Sequence, residues 1–238
     1  MNKFYGVGVG PGEPELITLK ALKVLQNAGT IFVPKAKIKG DSIARKIVER
    51  LLGEENEIIE LEFPMTRNER DLHERYHKSA GLIFQKIREG NDVAYLTLGD
   101  PLLYSTYIYL LDALREVAPE LTIETIPGIT AYSAVAAKFS HSLAEKDERV
   151  CICTVSNNNL NDLRGIIASN DTVVIMKVAK RFREVVDLLR EMNLLSYTIF
   201  GSHVGMEGER LINGMNEPLI ASEEEAYLST IIVKKRKK

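Results

Sequence analysis

The stretch KFYGVGVGPG (residues 3–12) begins as an apolar strand and ends in a glycine-rich turn. Four of the chain's 16 glycines lie in it, at positions 6, 8, 10 and 12. Leucines at helical spacing follow over residues 15–28, so the N-terminus predicts a strand, a tight turn and a helix. The spacing departs from the G-x-G-x-x-G of dinucleotide-binding folds, and no G-K-[ST] of a P-loop follows. Interpretations as an NAD or ATP site therefore fail, and a tight turn without a ligand stays open as an alternative.

The N-terminal half of the chain repeats this alternation of strand and helix. Further strands are predicted at 30–33, 57–61, 92–98 and 121–126. Such alternation indicates an α/β fold with a mostly parallel, five-stranded sheet. After the polar segment LAEKDER (143–149), the last strands have no clear helices between them, which predicts a mixed sheet. We therefore expect an N-terminal α/β domain at residues 1–143 and a C-terminal α/β domain at residues 144–238.

The composition of the chain narrows the classes of function. Its 238 residues are 45% hydrophobic and 27% charged, which favours a packed core over disorder. A formal net charge of −2 argues against a dedicated nucleic-acid binder, because such proteins usually carry a basic excess. No apolar run approaches the ~20 residues of a membrane span, and the N-terminus lacks a signal-peptide cleavage pattern. We expect a cytoplasmic protein without membrane or nucleic-acid partners.

Two pairs of side chains are weak candidates for metal ligands. Cys151 and Cys153 alternate on a predicted strand, where buried thiols are the more common interpretation. His73 and His77 lie four residues apart on a predicted helix and could share a metal ion. The sequence suggests no third ligand near either pair, so an exposed polar face is favoured for the histidines and no protein-bound metal is predicted.

Two more unusual turns follow predicted strands. Gly99, Asp100 and Pro101 end one strand, and PGITA (127–131) ends another. The carboxyl ends of parallel strands lie at one edge of a sheet, where open α/β sheets bind ligands. Asp100 is there either the N-cap of a helix over residues 102–117 or a carboxylate that faces a ligand. Three such turns at one edge indicate a binding site more specifically than any one of them does.

Three segments together resemble the tetrapyrrole (corrin/porphyrin) methylase family. They are GVGVGPGEPELITLKA (6–21), TLGDPLLYSTY (97–107) and PGITAYSA (127–134). The similarity continues through residues 174–177 and 202–211, and so covers nearly the whole chain. It departs from the family pattern at Glu13, where aspartate is expected, and at His141 and Ser142, where a small residue and a proline are usual.

Four shorter segments are similar to one branch of that family, the C(20)-methyltransferases that act on precorrin-2 or cobalt-factor II in cobalamin synthesis. They are VPKA (33–36), FPMT (63–66), GDPLLYSTYIYL (99–110) and SLAE (142–145). The resemblance implies two α/β domains, S-adenosylmethionine as methyl donor in the cleft between them, a tetrapyrrole substrate and a homodimer. Two alternatives stay open: a family member that methylates another ring carbon or a diphthine residue, and a non-catalytic nucleotide-binding α/β module.

The resemblance also implies which residues contact the methyl donor. They are Pro11, Leu98, Gly99, Asp100, Leu103, Ser105, Thr106, Thr130, Ala131, Met176 and Val204. Gly99 would let the backbone approach the ligand, Asp100 would face its ammonium or sulfonium end, and Met176 would offer a soft apolar surface to the adenine. Core packing is the alternative for Met176 and Leu103. No catalytic base is identified.

A tetrapyrrole carries many carboxylates, which require basic side chains around the site. Candidates that follow predicted strands are Lys35, Lys37, Arg67, Arg70 and Lys177, with a solvated surface as the alternative for each. Lys35 and Arg67 are favoured because they lie in the VPK and FPMT loops. Tyr104 is a candidate for shaping the substrate pocket, with packing as its alternative.

Overall fold

A computed structural model describes residues 2–35, 42–53, 55–63, 68–155, 160–214 and 226–235. Contacts within these ranges divide the chain into two compact units, Met1–Thr130 and Ala131–Lys238. The contact boundary falls before the helix α5 (Ala131–Lys138), because α5 packs against strands of the second unit. The boundary expected from the sequence lies after this helix, at Leu143, and the domains 1–143 and 144–238 stay a prediction.

The first unit contains a sheet of five strands that all run parallel. Its elements are β1 (Phe4–Gly8), α1 (Leu19–Asn27), β2 (Thr30–Pro34), α2 (Ile43–Val48), β3 (Glu57–Leu61), α3 (Glu69–Arg88), β4 (Val93–Thr97), α4 (Tyr107–Val117) and β5 (Ile123–Ile126). The strand order is β3-β2-β4-β1-β5, with Gly6 opposite Tyr95 of β4 and Thr125 of β5. The predicted α/β fold with a five-stranded, mostly parallel sheet is confirmed.

Helices cover both faces of this sheet. On one face, α1 and α2 pack against Val7 and Ile31. On the other face, α3 and α4 pack against Phe4 and Phe32. Because consecutive residues of a strand point to opposite faces, burial on both sides requires continuous apolar strands such as β2 and β4.

The local sequence of α3 determines where this helix begins and which side of it is buried. Asn68 occupies its N-cap position, and the Asn68 side chain accepts a hydrogen bond from the backbone N–H two residues on, at 3.1 Å. Tyr76, Ala80, Ile83 and Ile87 recur at helical spacing and are buried against the sheet. Asn68 thus begins the helix, and these four residues form its inner face.

The second unit contains a mixed sheet. Its elements after α5 are β6 (Val150–Thr154), α6 (Leu160–Ser169), β7 (Thr172–Met176), α7 (Phe182–Glu191), β8 (Thr198–Ser202), β9 (Arg210–Asn213) and β10 (Ser229–Lys234). The order is β6-β7-β10-β8-β9, in which only β6 and β7 pair in parallel. Phe200 of β8 faces α6 and α7, whereas Gly201 faces α5, where an added Cβ would lie 2.6 Å from Val135 Cγ2.

Among the helices of the described ranges, none combines the length and the apolar character needed to cross a bilayer.

Candidate functional site

The sheet of the first unit has a topological switch point at the carboxyl ends of β1 and β4, which are neighbouring strands. β1 leads to α1 on one face of the sheet, whereas β4 leads to α4 on the opposite face. The two connections therefore diverge, and open α/β sheets bind ligands in the crevice that such divergence creates. The glycine-rich stretch is the connection after β1, so it lies at this switch point.

The backbones of three turns are in contact at this edge of the sheet. The Gly99 N–H donates to the Gly10 carbonyl oxygen over 2.8 Å, in an isolated antiparallel bridge. Gly10 and Gly99 have positive φ angles of 79° and 69°, which residues with a Cβ rarely adopt. A Cβ added to Gly8 would lie 2.6 Å from the Gly99 carbonyl oxygen, and one added to Gly128 would lie 2.1 Å from the same atom. Glycine at these positions lets the turns approach one another.

Asp100 joins the turn after β4 to the turn after β5. Its Oδ1 accepts a hydrogen bond at 2.9 Å from the N–H two residues on, and its Oδ2 accepts one at 3.1 Å from the Gly128 N–H. The interpretation of Asp100 as the N-cap of a helix over residues 102–117 is wrong, because α4 begins at Tyr107 with Thr106 at its N-cap position. The carboxylate closes a local turn instead. A carboxylate offers about four acceptor positions, which is more than these two hydrogen bonds use.

The predicted contact residues Ser105 and Thr106 hold the end of this loop against β4. The Ser105 hydroxyl shares a 2.8 Å hydrogen bond with the Thr97 hydroxyl and accepts another from the Tyr107 N–H at 3.1 Å. The Thr106 hydroxyl lies 3.1 Å from the Tyr95 hydroxyl. Both side chains therefore have partners in the protein, and their direct effect is to fix the path of the loop.

Tyr107 connects the start of α4 to the centre of the sheet. Its buried ring fills the space beside Gly6, where an added Cβ would lie 2.1 Å from the ring. Its hydroxyl lies 2.6 Å from Thr125 Oγ1, and burial raises the pKa of the phenol. Gly6 therefore serves packing, unlike the glycines of the turn that follows it. Sequence reasoning missed this contact and the Asp100–Gly128 hydrogen bond, because no spacing rule links residues so far apart in the chain.

Apolar side chains are exposed around these turns. Leu102, Tyr104 and Ile129 are 57%, 37% and 38% exposed. Tyr104 has a φ of 52°, which is an uncommon conformation for a bulky residue. The predicted contacts Leu98 and Leu103 belong to the same loop and are half-buried. Exposed apolar surface together with an unusual backbone conformation is typical of binding sites.

Two further predicted contacts complete the set in the first unit. Pro11 is buried directly after the Gly10–Gly99 bridge, and Thr130 is half-buried at the end of the turn after β5. Pro11 follows β1, the loop at 98–106 follows β4, and Thr130 follows β5. These three strands are neighbours in the sheet. The structure thus brings these residues to one edge, and their contact with a methyl donor stays a prediction.

Three predicted contacts lie in the second unit. Ala131 is the first residue of α5, Met176 is the half-buried last residue of β7, and Val204 is buried two residues after β8. β7 and β8 are both antiparallel to β10, so they run in the same direction and end at the same edge of the sheet. Lys177 and His203 directly follow these strands with φ angles of 56° and 49°. Non-glycine residues in this conformation cluster at functional sites.

The basic candidates differ in their surroundings. Lys35 forms an ion pair with Glu62, and the hydrogen bond between them raises the pKa of the ammonium group. A substrate carboxylate at Lys35 would therefore compete with Glu62. The Lys177 side chain is exposed as a whole, but protein atoms around its ammonium partly desolvate it and lower its pKa. Lys37 and Arg67 lie outside the described residues.

The fold and the site define an α/β protein of two units with glycine-rich turns at the edge of a parallel sheet, where open α/β sheets bind ligands. A model of the tetrapyrrole (corrin/porphyrin) methylases matches residues 3–217, and this chain belongs to that family. The family predicted from the sequence is confirmed.

Relatives extend along the whole chain. Identity is 31% over 242 residues with the cobalt-precorrin-2 C(20)-methyltransferase of Salmonella typhimurium, covering 99% of this chain and 97% of that protein. Identity is 35% over 239 residues with the probable cobalt-precorrin-2 C(20)-methyltransferase of Methanocaldococcus jannaschii, covering 100% and 98%. A solved uroporphyrin-III C-methyltransferase of Thermus thermophilus, complexed with S-adenosylhomocysteine, has a TM-score of 0.66 at 19% identity and 98% coverage of both chains. That structure shares the fold.

Proposed function

We propose that this chain methylates C(20) of a cobalt-bearing precorrin-2, with S-adenosylmethionine as the methyl donor, in cobalamin biosynthesis. The observation that carries the proposal is similarity along the full chain to two relatives whose names specify this activity. Both names include cobalt, which favours cobalt-factor II or cobalt-precorrin-2 over the metal-free precorrin-2. The cobalt would arrive within the substrate rather than belong to the protein.

The turns of the first unit suit the methyl donor. S-adenosylmethionine supplies a methyl group that the positive charge on its sulfur activates for transfer. Gly99 offers backbone to which a ligand can come close, because a Cβ added there would have the Ile129 carbonyl oxygen, at 4.0 Å, as its nearest neighbour. Asp100 has acceptor positions beyond its two backbone hydrogen bonds, which suits an ammonium group. The roles of Met176 and of the other contacts in the second unit rest on the family resemblance.

The surroundings of these turns also suit a flat macrocycle with a carboxylate rim. Leu102, Tyr104 and Ile129 offer exposed apolar surface, and Lys35 and Arg67 are the proposed partners of substrate carboxylates. The protein's task is then to align the sulfonium methyl with the ring carbon and to exclude water. The carbon–sulfur bond breaks, a carbon–carbon bond forms and a proton leaves C(20). No residue is assigned to receive that proton.

The test is anaerobic incubation with S-adenosylmethionine labelled with ¹³C in its methyl group, and with cobalt-factor II or precorrin-2. We expect one methyl group per macrocycle in the cobalt form, located at C(20) by NMR. Transfer to another ring carbon would assign the chain to another activity within the family. No transfer to either substrate, with intact donor binding, would contradict the proposal.

We also propose that the chain forms a homodimer, as the family resemblance implies. Light scattering after size exclusion should then give twice the 26.7 kDa of one chain. A mass of 26.7 kDa at assay concentrations would rule the dimer out.

A further inference from the structure

Two histidines of α3 and a glutamate of α4 lie together in the first unit. Within the described part of the chain, His73, His77 and Glu116 form one group whose potential ligand atoms all lie within 4.8 Å of one another. Glu116 Oε2 is 2.8 Å from His77 Nε2 and 3.6 Å from His73 Nε2, and the two rings stack with centroids 4.0 Å apart. The sequence suggests no third ligand for these histidines. The structure places Glu116 beside them, a side chain that helical spacing cannot indicate because it comes from a different helix.

The hydrogen bonds of His77 define which ring nitrogen faces the glutamate. Its Nδ1 lies 3.0 Å from the His73 carbonyl oxygen, and its Nε2 lies 2.8 Å from a carboxylate oxygen of Glu116. Both neighbouring oxygens can accept, whereas a neutral imidazole donates only one hydrogen bond, so one of the two contacts has room for a further proton or a metal ion. Metal-bound histidines commonly donate their other N–H to a backbone carbonyl, and His77 Nδ1 lies within hydrogen-bond distance of one.

We propose that His73, His77 and Glu116 bind a divalent transition-metal ion such as Zn²⁺. Two imidazole nitrogens and one carboxylate oxygen suit Zn²⁺, whereas Mg²⁺ and Ca²⁺ prefer oxygen ligands. Tetrahedral zinc, with bonds of about 2.0–2.1 Å, places its ligand atoms about 3.4 Å apart. The distances from Glu116 Oε2, 2.8 and 3.6 Å, are close to this value, and the two histidine nitrogens lie within 4.8 Å of each other. His73 and Glu116 are exposed, so water can reach the remaining coordination position.

The proposed ion would cross-link α3 and α4 at a distance from the candidate methyl-transfer site. Glu116 lies near the end of α4, and a rise of about 1.5 Å per residue places it about 14 Å along the axis from Tyr107. Because only the folded chain brings both helices together, the ion would stabilise the first unit. This inference therefore goes beyond the proposed function and does not depend on it.

Isothermal titration of the untagged, metal-free chain with Zn²⁺ tests the proposal. We expect one ion per chain, and an affinity at least tenfold lower for Glu116→Gln and for His77→Gln. Asp112→Asn is the matched control, because it removes a carboxylate from the same helix outside the cluster, and it should bind as the wild type does. Absence of zinc binding to the wild type, or an affinity in both cluster variants equal to that of the wild type, would overturn the proposal.

Titration with Co²⁺ distinguishes this site from the thiols of Cys151 and Cys153. Nitrogen and oxygen ligands give visible d–d bands without the intense near-ultraviolet band of a thiolate–cobalt bond. A thiolate band that persists in His77→Gln would assign the ion to the cysteines and overturn the proposal. Zn²⁺ should also raise the melting temperature of the wild type but not that of Glu116→Gln. Chelation should leave methyl transfer unchanged, so the two proposals can fail separately.

Discussion

Replacing Gly128 with alanine tests whether the turns must touch for the methyl donor to bind. The φ of Gly128 is not positive, so alanine changes only the space that the residue occupies. The added Cβ would lie 2.1 Å from the Gly99 carbonyl oxygen, whereas real Cβ atoms essentially never approach within 3.0 Å of another atom. The difference between 3.0 and 2.1 Å requires the two turns to separate by about 0.9 Å.

We expect that separation to lower both the stability of the chain and its rate of methyl transfer. Overpacking of this kind lowers the free energy of unfolding by about 1–3 kcal/mol. A displacement of about 1 Å in a site can cost about 100-fold in rate, so kcat/KM for methyl transfer should fall by about that factor. The affinity for S-adenosylhomocysteine should fall as well, because the same turns are proposed to contact it.

Gly81→Ala is the matched control for this experiment. It makes the same chemical change in α3, where the added Cβ meets nothing within 4 Å. Alanine is the better helix former, so this variant should be more stable by about 0.5–1 kcal/mol and bind the ligand normally. Denaturant unfolding measures the stability and isothermal titration measures the affinity. Equal ligand affinity in Gly128→Ala and Gly81→Ala would refute a donor surface built on contact between the turns.

Three further predictions concern ionisable groups. Asp100→Ala removes both backbone hydrogen bonds of the carboxylate, so the free energy of unfolding in denaturant should fall by about 1–3 kcal/mol. Calorimetry should show a weaker affinity for S-adenosylhomocysteine, and an unchanged affinity would exclude the proposed contact between Asp100 and the methyl donor. The hydrogen bond from Lys86 lowers the pKa of Glu57, so the pair stabilises the fold above the unfolded value of 4.5. The stability difference between wild type and Glu57→Gln should therefore persist at pH 7 and vanish as the pH falls through the lowered pKa; a constant difference would contradict this pairing. Burial raises the pKa of Cys153 to about 11, so mass spectrometry should find its alkylation at pH 8 far slower in the folded than in the denatured chain, and equal rates would count against burial.

Short apolar runs between turn residues predict the central strands β1, β2 and β4, because these strands are buried on both faces. The predicted helix over residues 102–117 is too long at its N-terminus. Leu102 and Leu103 fit the apolar pattern, but Tyr104 has a φ of 52°, and this conformation is incompatible with a helix. Local pattern thus finds the element, while loop contacts decide where it begins.

For the candidate site, the sequence predicts the turns but not the contacts between them. Glycine and proline identify the turns, because these residues follow directly after the parallel strands. The contacts that hold the turns together are not readable in the same way: Asp100 and Gly128 are 28 residues apart, and His77 and Glu116 are 39 residues apart. Such pairs form only when the helices and strands pack, so the third side chain of the histidine cluster is visible only in the folded chain.

The loop between β4 and α4 is held at both of its ends before any ligand arrives. Asp100 attaches it to the next turn, Ser105 and Thr106 attach it to β4, and the Tyr107 ring fills the space left by a glycine of β1. Ordering a backbone residue costs about 1–2 kcal/mol of conformational entropy, and here folding rather than binding bears most of that cost. A ligand at this loop therefore retains more of its interaction energy as affinity. Its association should consequently follow a single kinetic step, without a slow rearrangement of the loop.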